Sequence, residues 1–203
     1  MPTASLAHMS VRVDGTNQTL LMPKLQYRFR VKVSGFGTSA PQTDLTRQVV
    51  DVTRPSVSFT DIPVDVYNSV VHIAGKHSWD PLTLNLRDDA NKQVQLLVGQ
   101  QIQKQFDFYD QSSAYSGQDY KFRMYIEILD GGNGTKAATV LETFEVLGCY
   151  IESANYNSLA YSASEPVTIT LSIRFDNALQ TPRETAGLGV AVQRALGTAI
   201  TSA

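Results

Sequence analysis

Two of the three histidines are the first candidates for chemistry, because imidazole is the commonest metal ligand among protein side chains. His72 and His77 lie on either side of Gly75, so a turn at that glycine would bring the two rings together. No cysteine is near them, and the carboxylates of Asp65 and Asp80 stand at no recognised ligand spacing. Ordinary polar side chains on a loop are the favoured interpretation, and no metal site is predicted.

Two acidic clusters also invite a functional interpretation. Asp88 and Asp89 could be a general acid and base, but neighbouring residues do not converge on one substrate atom. They better fit the end of a strand, with one carboxylate accepting a backbone N–H bond at the start of a helix. The segment 130–134 (Asp-Gly-Gly-Asn-Gly) lacks the terminal glutamate of a calcium loop, and its composition predicts a hairpin turn.

The remaining signatures of catalysis are missing from the sequence. Cys149 is the single cysteine, so no intrachain disulfide forms, and its place in a predicted strand favours packing over nucleophilic chemistry. There is no Gly-x-Ser-x-Gly elbow, no phosphate-binding glycine loop followed by lysine, and no dinucleotide fingerprint. The sequence therefore predicts neither an enzyme nor a cofactor-binding protein.

Three basic residues, Arg28, Arg30 and Lys32, alternate with the aromatic residues Tyr27 and Phe29. Basic and aromatic side chains on one surface would suit a nucleic-acid platform. In a strand, however, successive side chains point to opposite faces, so the rings and the cations would not share a surface. Cross-strand ion pairs, or contact with an acidic partner surface, are the favoured interpretation.

Composition narrows the class of protein further. The 203 residues are 42% hydrophobic and 18% charged, which is enough for the core of one domain and argues against disorder. Seventeen basic and 19 acidic residues give a net charge of −2, without the basic excess of a typical nucleic-acid binder. No apolar run is long enough to cross a membrane, and the first ten residues do not resemble a secretory signal. We expect a protein that acts, or is assembled, in the compartment where it is made.

Period-two alternation predicts a mainly β protein, with an antiparallel barrel or sandwich and one flanking α-helix at about residues 89–106. The predicted strands are 25–33, 48–52, 56–59, 68–75, 82–86, 121–128, 143–151 and 167–175. We expect an N-terminal arm at 1–22, one domain at 23–180, and a weakly helical or disordered extension at 181–203. The polar stretch 34–47 is predicted to be a loop that reaches beyond the sheet.

A series of spaced residues in the first half of the chain carries a family resemblance: Pro63, Asn68, Gly75, Trp79, Asp88 and Asp89. With them, the order and spacing of residues over about 24–178 resemble the tail tube proteins of contractile-tailed bacteriophages (the myovirus tail tube family), which are related in fold to the inner-tube protein of type VI secretion systems. The segment 143–148 resembles the strand and glycine before the family's closing hairpin, and 165–176 resembles its final strand.

The resemblance implies a structural subunit with a β-barrel or sandwich and one flanking helix, six to a ring, whose rings stack into a hollow tube that conducts genomic DNA into the host during ejection. The implied partners are further copies of the chain, the tail sheath protein, the tape-measure protein, the baseplate and the tail terminator. DNA would pass through the lumen without specific binding, and no membrane is involved. The implied location is the virion tail, assembled in the host cytoplasm.

This role predicts two sets of site residues. An acidic lumen would repel phosphate groups, and the candidates for its wall are Glu127, Glu142, Glu145 and Glu152. Contacts between rings would need a long loop, and the candidates there are Gly35, Phe36, Gly37, Pro41 and Asp44. Two alternatives remain: the inner tube of a contractile injection or secretion system, and, in a different class, a ligand-binding β-sandwich module.

Overall fold

The computed structural model describes residues 24–38, 43–130, 137–162 and 164–181, so the predicted arm and nearly all of the predicted C-terminal extension lie outside it. The mainly β, antiparallel fold with one long helix is confirmed. The strands are β1 (Phe29–Ser34), β2 (Val49–Val52), β3 (Val57–Val66), β4 (Ser69–Trp79), β5 (Leu82–Arg87), β6 (Phe106–Asp107), β7 (Ser112–Ser113), β8 (Phe122–Leu129), β9 (Val140–Asn155), β10 (Thr168–Arg174) and β11 (Asn177–Thr181). The helices are α1 (Thr43–Arg47), α2 (Gln93–Gln105) and α3 (Gly117–Tyr120).

Seven strands form one antiparallel sheet in the order β1-β8-β9-β10-β5-β2, with β11 also paired to β9. The long strand β9 belongs to both halves, because its first part pairs with β8 and β11 and its last part pairs with β10. Gly148, at φ +69°, lies between the two parts, and a Cβ there would stand 2.1 Å from a carboxylate oxygen of Asp176. Only glycine fits this position.

The two halves of the sheet enclose one hydrophobic core, and the sheet does not close into a barrel. Alternate residues of β5, β8 and β10 point inward, as their sequence pattern predicts, and Leu84, Met124 and Leu171 are fully buried. Among the described strands, β1 pairs only with β8 and β2 pairs only with β5, so these two strands end the sheet. The barrel alternative is therefore wrong and the sandwich alternative is confirmed.

Helix α2 packs against the core of this sandwich and buries Val94, Leu97, Val98 and Gln101. It begins later than predicted, because the residue before it has the left-handed φ of +61° and cannot continue a helix backward. The predicted capping role is confirmed for Asp89, whose Oδ1 accepts the backbone N–H of the first helical residue at 2.9 Å.

Candidate assembly interface

Strands β3 and β4 form a two-stranded hairpin that stands apart from the main sheet. It continues the edge pair β2–β5, since Thr53 donates its backbone N–H to Thr83 and Asp80 donates to Ser56. At about 3.3 Å per residue, the ten residues of β3 extend about 33 Å. The strands predicted at 56–59 and 68–75 are both too short, because β3 continues through Pro63 to Val66 and β4 reaches Trp79. Proline is tolerated in β3 because, among the described strands, β3 pairs with β4 alone.

One face of this hairpin carries aliphatic side chains up to Ser69, which lies beside the turn. The register places Ile62 opposite Ile73 and Val64 opposite Val71, with Val66 next along the same face. These five side chains are 40–51% exposed, although such a face is usually buried against a core. We call them the aliphatic face. Contiguous exposed apolar patches of this kind mark interaction sites.

The opposite face of the hairpin is mixed, because it carries Asp61, Asp65 and His72 together with the exposed Val70. Asp61 and His72 form an exposed pair with 2.7 Å between Oδ2 and Nδ1. The predicted turn around Gly75 is absent, because this glycine lies within β4, where a Cβ would stand 2.9 Å from the backbone oxygen of Thr60. His72 and His77 are therefore not brought together as two ligands, and no group of three potential metal ligands occurs among the described residues.

The base of the hairpin is anchored in the core by Trp79. Its ring packs against Phe175 with the centroids 5.4 Å apart and contacts His77 edge-on at 6.1 Å. Four of the six residues that carry the family resemblance, namely Pro63, Asn68, Gly75 and Trp79, thus lie in the hairpin. The other two, Asp88 and Asp89, lie directly before α2.

The four predicted lumen glutamates do not share a surface. Glu127 is buried, accepts a hydrogen bond from Arg30 Nε at 2.7 Å, and lies 2.7 Å from Lys32 Nζ. Burial alone would raise the pKa of Glu127, but the bonds from Lys32 and Arg30 outweigh it and lower that pKa. The prediction of cross-strand ion pairs for these two cations is confirmed. Glu127 is therefore a neutralised charge and not a free acidic group.

Glu142 lies on the inner face of β9 in the single chain, and its place in a lumen wall stays a prediction. It is buried beside Phe144 and bonds to Lys24 and Gln180. The sequence carried a signal for this, because Glu142 has the same period-two position as the buried Phe144 and Val146.

Glu145 and Glu152 face outward, but from different halves of the sheet. Glu145 lies half-buried opposite Tyr125 of β8. Glu152 accepts hydrogen bonds from Arg174 at 2.8 Å and Ser172 at 3.1 Å, and the bond from Arg174 holds the pKa of Glu152 below its ordinary value.

The outer face of the half-sheet β9-β10-β5-β2 is a hydrogen-bonded polar surface. Thr170 donates to Asn85 at 2.6 Å, and Asn85 donates to Asp51 at 2.9 Å. Glu152 and Arg174 neutralise each other on the same face. We call it the hydroxyl–amide face. Its side chains bond to one another, so they offer few free groups to a molecule that moves past them.

The predicted inter-ring loop is held against α2 in its first part. Phe36 is 3% exposed and packs edge-on against Phe122 at 4.9 Å, so it is a core residue of the single chain. Its contact between rings stays a prediction. Gly35 and Gly37 are bound through their carbonyl oxygens by Lys104. Asp44 lies in the unpredicted helix α1; its side chain and all of Pro41 are outside the described residues.

A cleft of 480 Å³ opens between the end strands β1 and β2. Its floor is apolar and includes Phe29, Val52 and Ile126. The cleft leaves no pattern in the sequence, because its walls come together only when the two ends of the seven-stranded sheet approach each other. Cationic residues stand at its rim: Lys24, Arg28 and Arg54.

Comparison with known proteins identifies the fold. No protein-family model matches the chain, and no curated protein matches it in sequence. A chain of the sheath–tube complex of an extracellular contractile injection system (PVC) superposes with TM-score 0.55 at 15% identity, covering 78% of this chain and 90% of that one. Chains from the anti-feeding prophage baseplate (TM-score 0.57, 12% identity, 85% and 99% covered) and from its tube-terminating cap (0.58, 13%, 84% and 98%) are also similar.

Among the described helices, none is both long and apolar enough to span a membrane. The fold that the resemblance to tail tube proteins implied is confirmed by these structures. The chain has the fold of chains found in contractile injection systems.

Proposed function

We propose that this chain is the structural subunit of a hollow tube inside a contractile sheath, and that it has no catalytic role. The observation that carries the proposal is the hairpin β3–β4, whose aliphatic face is exposed along its length. In a monomer such a face stays exposed to water, whereas in a polymer every copy buries it. The similar chains from a sheath–tube complex and a tube-terminating cap support the same role.

The strands that end the sheet provide a second means of assembly. Strands β1 and β2 end the seven-stranded sheet, each pairing with one other strand among those described. Exposed edges invite uncontrolled pairing unless they are covered. Pairing between identical copies in a closed ring would satisfy them, and we propose rings of six copies that stack head to tail.

We propose that the hydroxyl–amide face lines the bore. Its Glu152–Arg174 pair is internally neutralised, and Asp51 and Arg87 on the same face are of opposite sign. Its Thr and Asn side chains bond to one another. Of the predicted acidic lining residues, Glu152 lies on this face. The outer face of the other half-sheet carries Arg30 and Lys32, and cations on a channel wall would retard a phosphate backbone.

Two versions of this function differ in the molecule that passes through the tube. In a bacteriophage tail, the tube would form around a tape-measure protein between baseplate and terminator, and would conduct DNA from a virion assembled in the host cytoplasm. In an injection system, the same tube would deliver a different cargo. The sequence resemblance favours the first version, and the similar solved structures favour the second.

Electron microscopy of the purified full chain tests the proposal. We expect rings or hollow tubes with six-fold symmetry, and we expect a variant with residues 60–73 replaced by a short Gly-Asn turn to stay folded but monomeric. A dispersed monomer at all concentrations, with melting shifted by a small ligand, would instead support the ligand-binding module. Mass spectrometry and nucleic-acid staining of particles from the native source would identify the cargo.

A further inference from the structure

We propose that the tip of the hairpin of one copy inserts Tyr67 into the cleft between β1 and β2 of a second copy. This inference rests on the proposed function, since it names the surface that receives the hairpin. It concerns the tip alone, while the aliphatic face lies along the strands behind it.

The tip presents an aromatic side chain in an unfavourable backbone conformation. Tyr67 and Asn68 form a two-residue turn between the paired residues Val66 and Ser69. Tyr67 has φ +56°, a conformation that favours glycine, and its side chain is fully exposed. In the isolated chain no described residue packs against the ring of Tyr67, so burial does not compensate for this backbone conformation. Strained positions often serve a function, and tyrosine is a frequent anchor of protein interfaces.

The cleft is suited to receive such a side chain. Its volume of 480 Å³ falls in the range of pockets that bind small molecules. Phe29 and Val52 on its floor are only partly buried, although they pack against the core. An inserted ring would complete their burial and would leave the phenolic hydroxyl at the polar rim.

The charges of the two surfaces are complementary. Asp65 is the single charged residue between Pro63 and Val71, so the tip is acidic. The rim of the cleft has Arg28 and Arg54 against one carboxylate, Asp51, which already accepts a bond from Asn85. Lys24 is also at the rim and is paired with Glu142. Complementary charge fixes the orientation of two surfaces and speeds their encounter.

The hairpin tip that enters the cleft must belong to a second copy. Arg54 at the rim of the cleft precedes the first residue of β3 by three positions, and the extended strand carries the tip about 33 Å away. The hairpin is paired along its length with a single bulge, so the tip does not fold back onto its own base.

Cysteine cross-linking in assembled full-length protein tests the contact. We expect a Tyr67→Cys/Gln26→Cys variant, treated with a short bis-maleimide, to give a ladder of covalent oligomers. The matched pair Tyr67→Cys/Gln95→Cys places the second thiol on the exposed face of α2 and should give none. The native Cys149 is buried and will not contribute. A ladder from the Gln95 pair alone would overturn the proposal.

Substitutions at the tip separate assembly from folding. Tyr67→Gly suits the backbone, so we expect the monomer to melt at the same temperature or higher while the critical concentration for assembly rises at least tenfold. Tyr67→Phe should assemble like the parent. Asp65→Arg and Arg54→Asp should each weaken assembly, and the combined charge swap should restore it.

The possible failures are distinguishable. If the parent forms tubes and Tyr67→Gly or the unrescued charge variants form them equally well, the tip contact is wrong and the tube function stands. If the parent forms no polymer at any concentration, the proposed function fails as well.

Discussion

Replacing part of the aliphatic face should weaken assembly by an amount that the structure allows us to estimate. Val64 and Ile73 are 40% and 51% exposed in the single chain. Fully burying such a side chain is worth about 1.5–3 kcal/mol, so burying the exposed half is worth about 1 kcal/mol each. Val64→Thr/Ile73→Thr keeps β-branched residues in both strands but removes this gain. We expect a loss of about 2 kcal/mol per contact, or about 30-fold in association.

The assay is the critical concentration for polymer formation, measured by sedimentation and by light scattering. The monomer of the double variant should melt within a few degrees of the parent, because neither side chain belongs to the core. Leu96→Gln is the matched control, since Leu96 is 50% exposed on α2 and far from the hairpin in sequence. The reasoning is refuted if the control weakens assembly as much as the double variant, or if the double variant assembles like the parent.

Three further predictions concern the fold. The pKa of Glu127 in the folded chain is below its ordinary value of 4.5, so its contribution to stability is present above pH 4.5 and is lost as the pH falls further. Glu127→Gln should lower the free energy of unfolding in urea at pH 7 by about 1–3 kcal/mol. It should also make that free energy less dependent on pH below 4.5. Burial raises the pKa of Cys149 to about 12, so Ellman's reagent should react with it only after denaturation, and rapid labelling of the native chain would contradict this. Gly148→Ala should lower the free energy of unfolding by about 2 kcal/mol or more, because φ is +69° and the new Cβ would clash with the carboxylate of Asp176. An unchanged melting temperature would show that the backbone at this position can relax.

The main sheet was predictable because one of its faces is buried. Residues such as Leu82, Leu84 and Leu86 alternate with polar ones, and a buried face fixes that alternation in the sequence. The ion pairs of Glu127 followed from the same rule, since the alternation placed Arg30 and Lys32 on one face of β1.

The hairpin was harder to predict, and for a physical reason. Its strands carry no face buried within the chain, so no alternation between core and solvent marks their limits. Proline is excluded from strands with neighbours on both sides, so Pro63 predicts the end of a strand. Only the tertiary structure shows that, among the described strands, β3 pairs with β4 alone.

The sequence by itself determined the strands of the core, the long helix with its Asp89 cap, and the packing role of Cys149, because local alternation and periodicity encode burial. Only the tertiary structure decided that the sheet stays open between β1 and β2, that Phe36 is a core residue, and that Glu145 and Glu152 lie on different halves. These features depend on contacts between residues far apart in the chain, which local patterns do not specify.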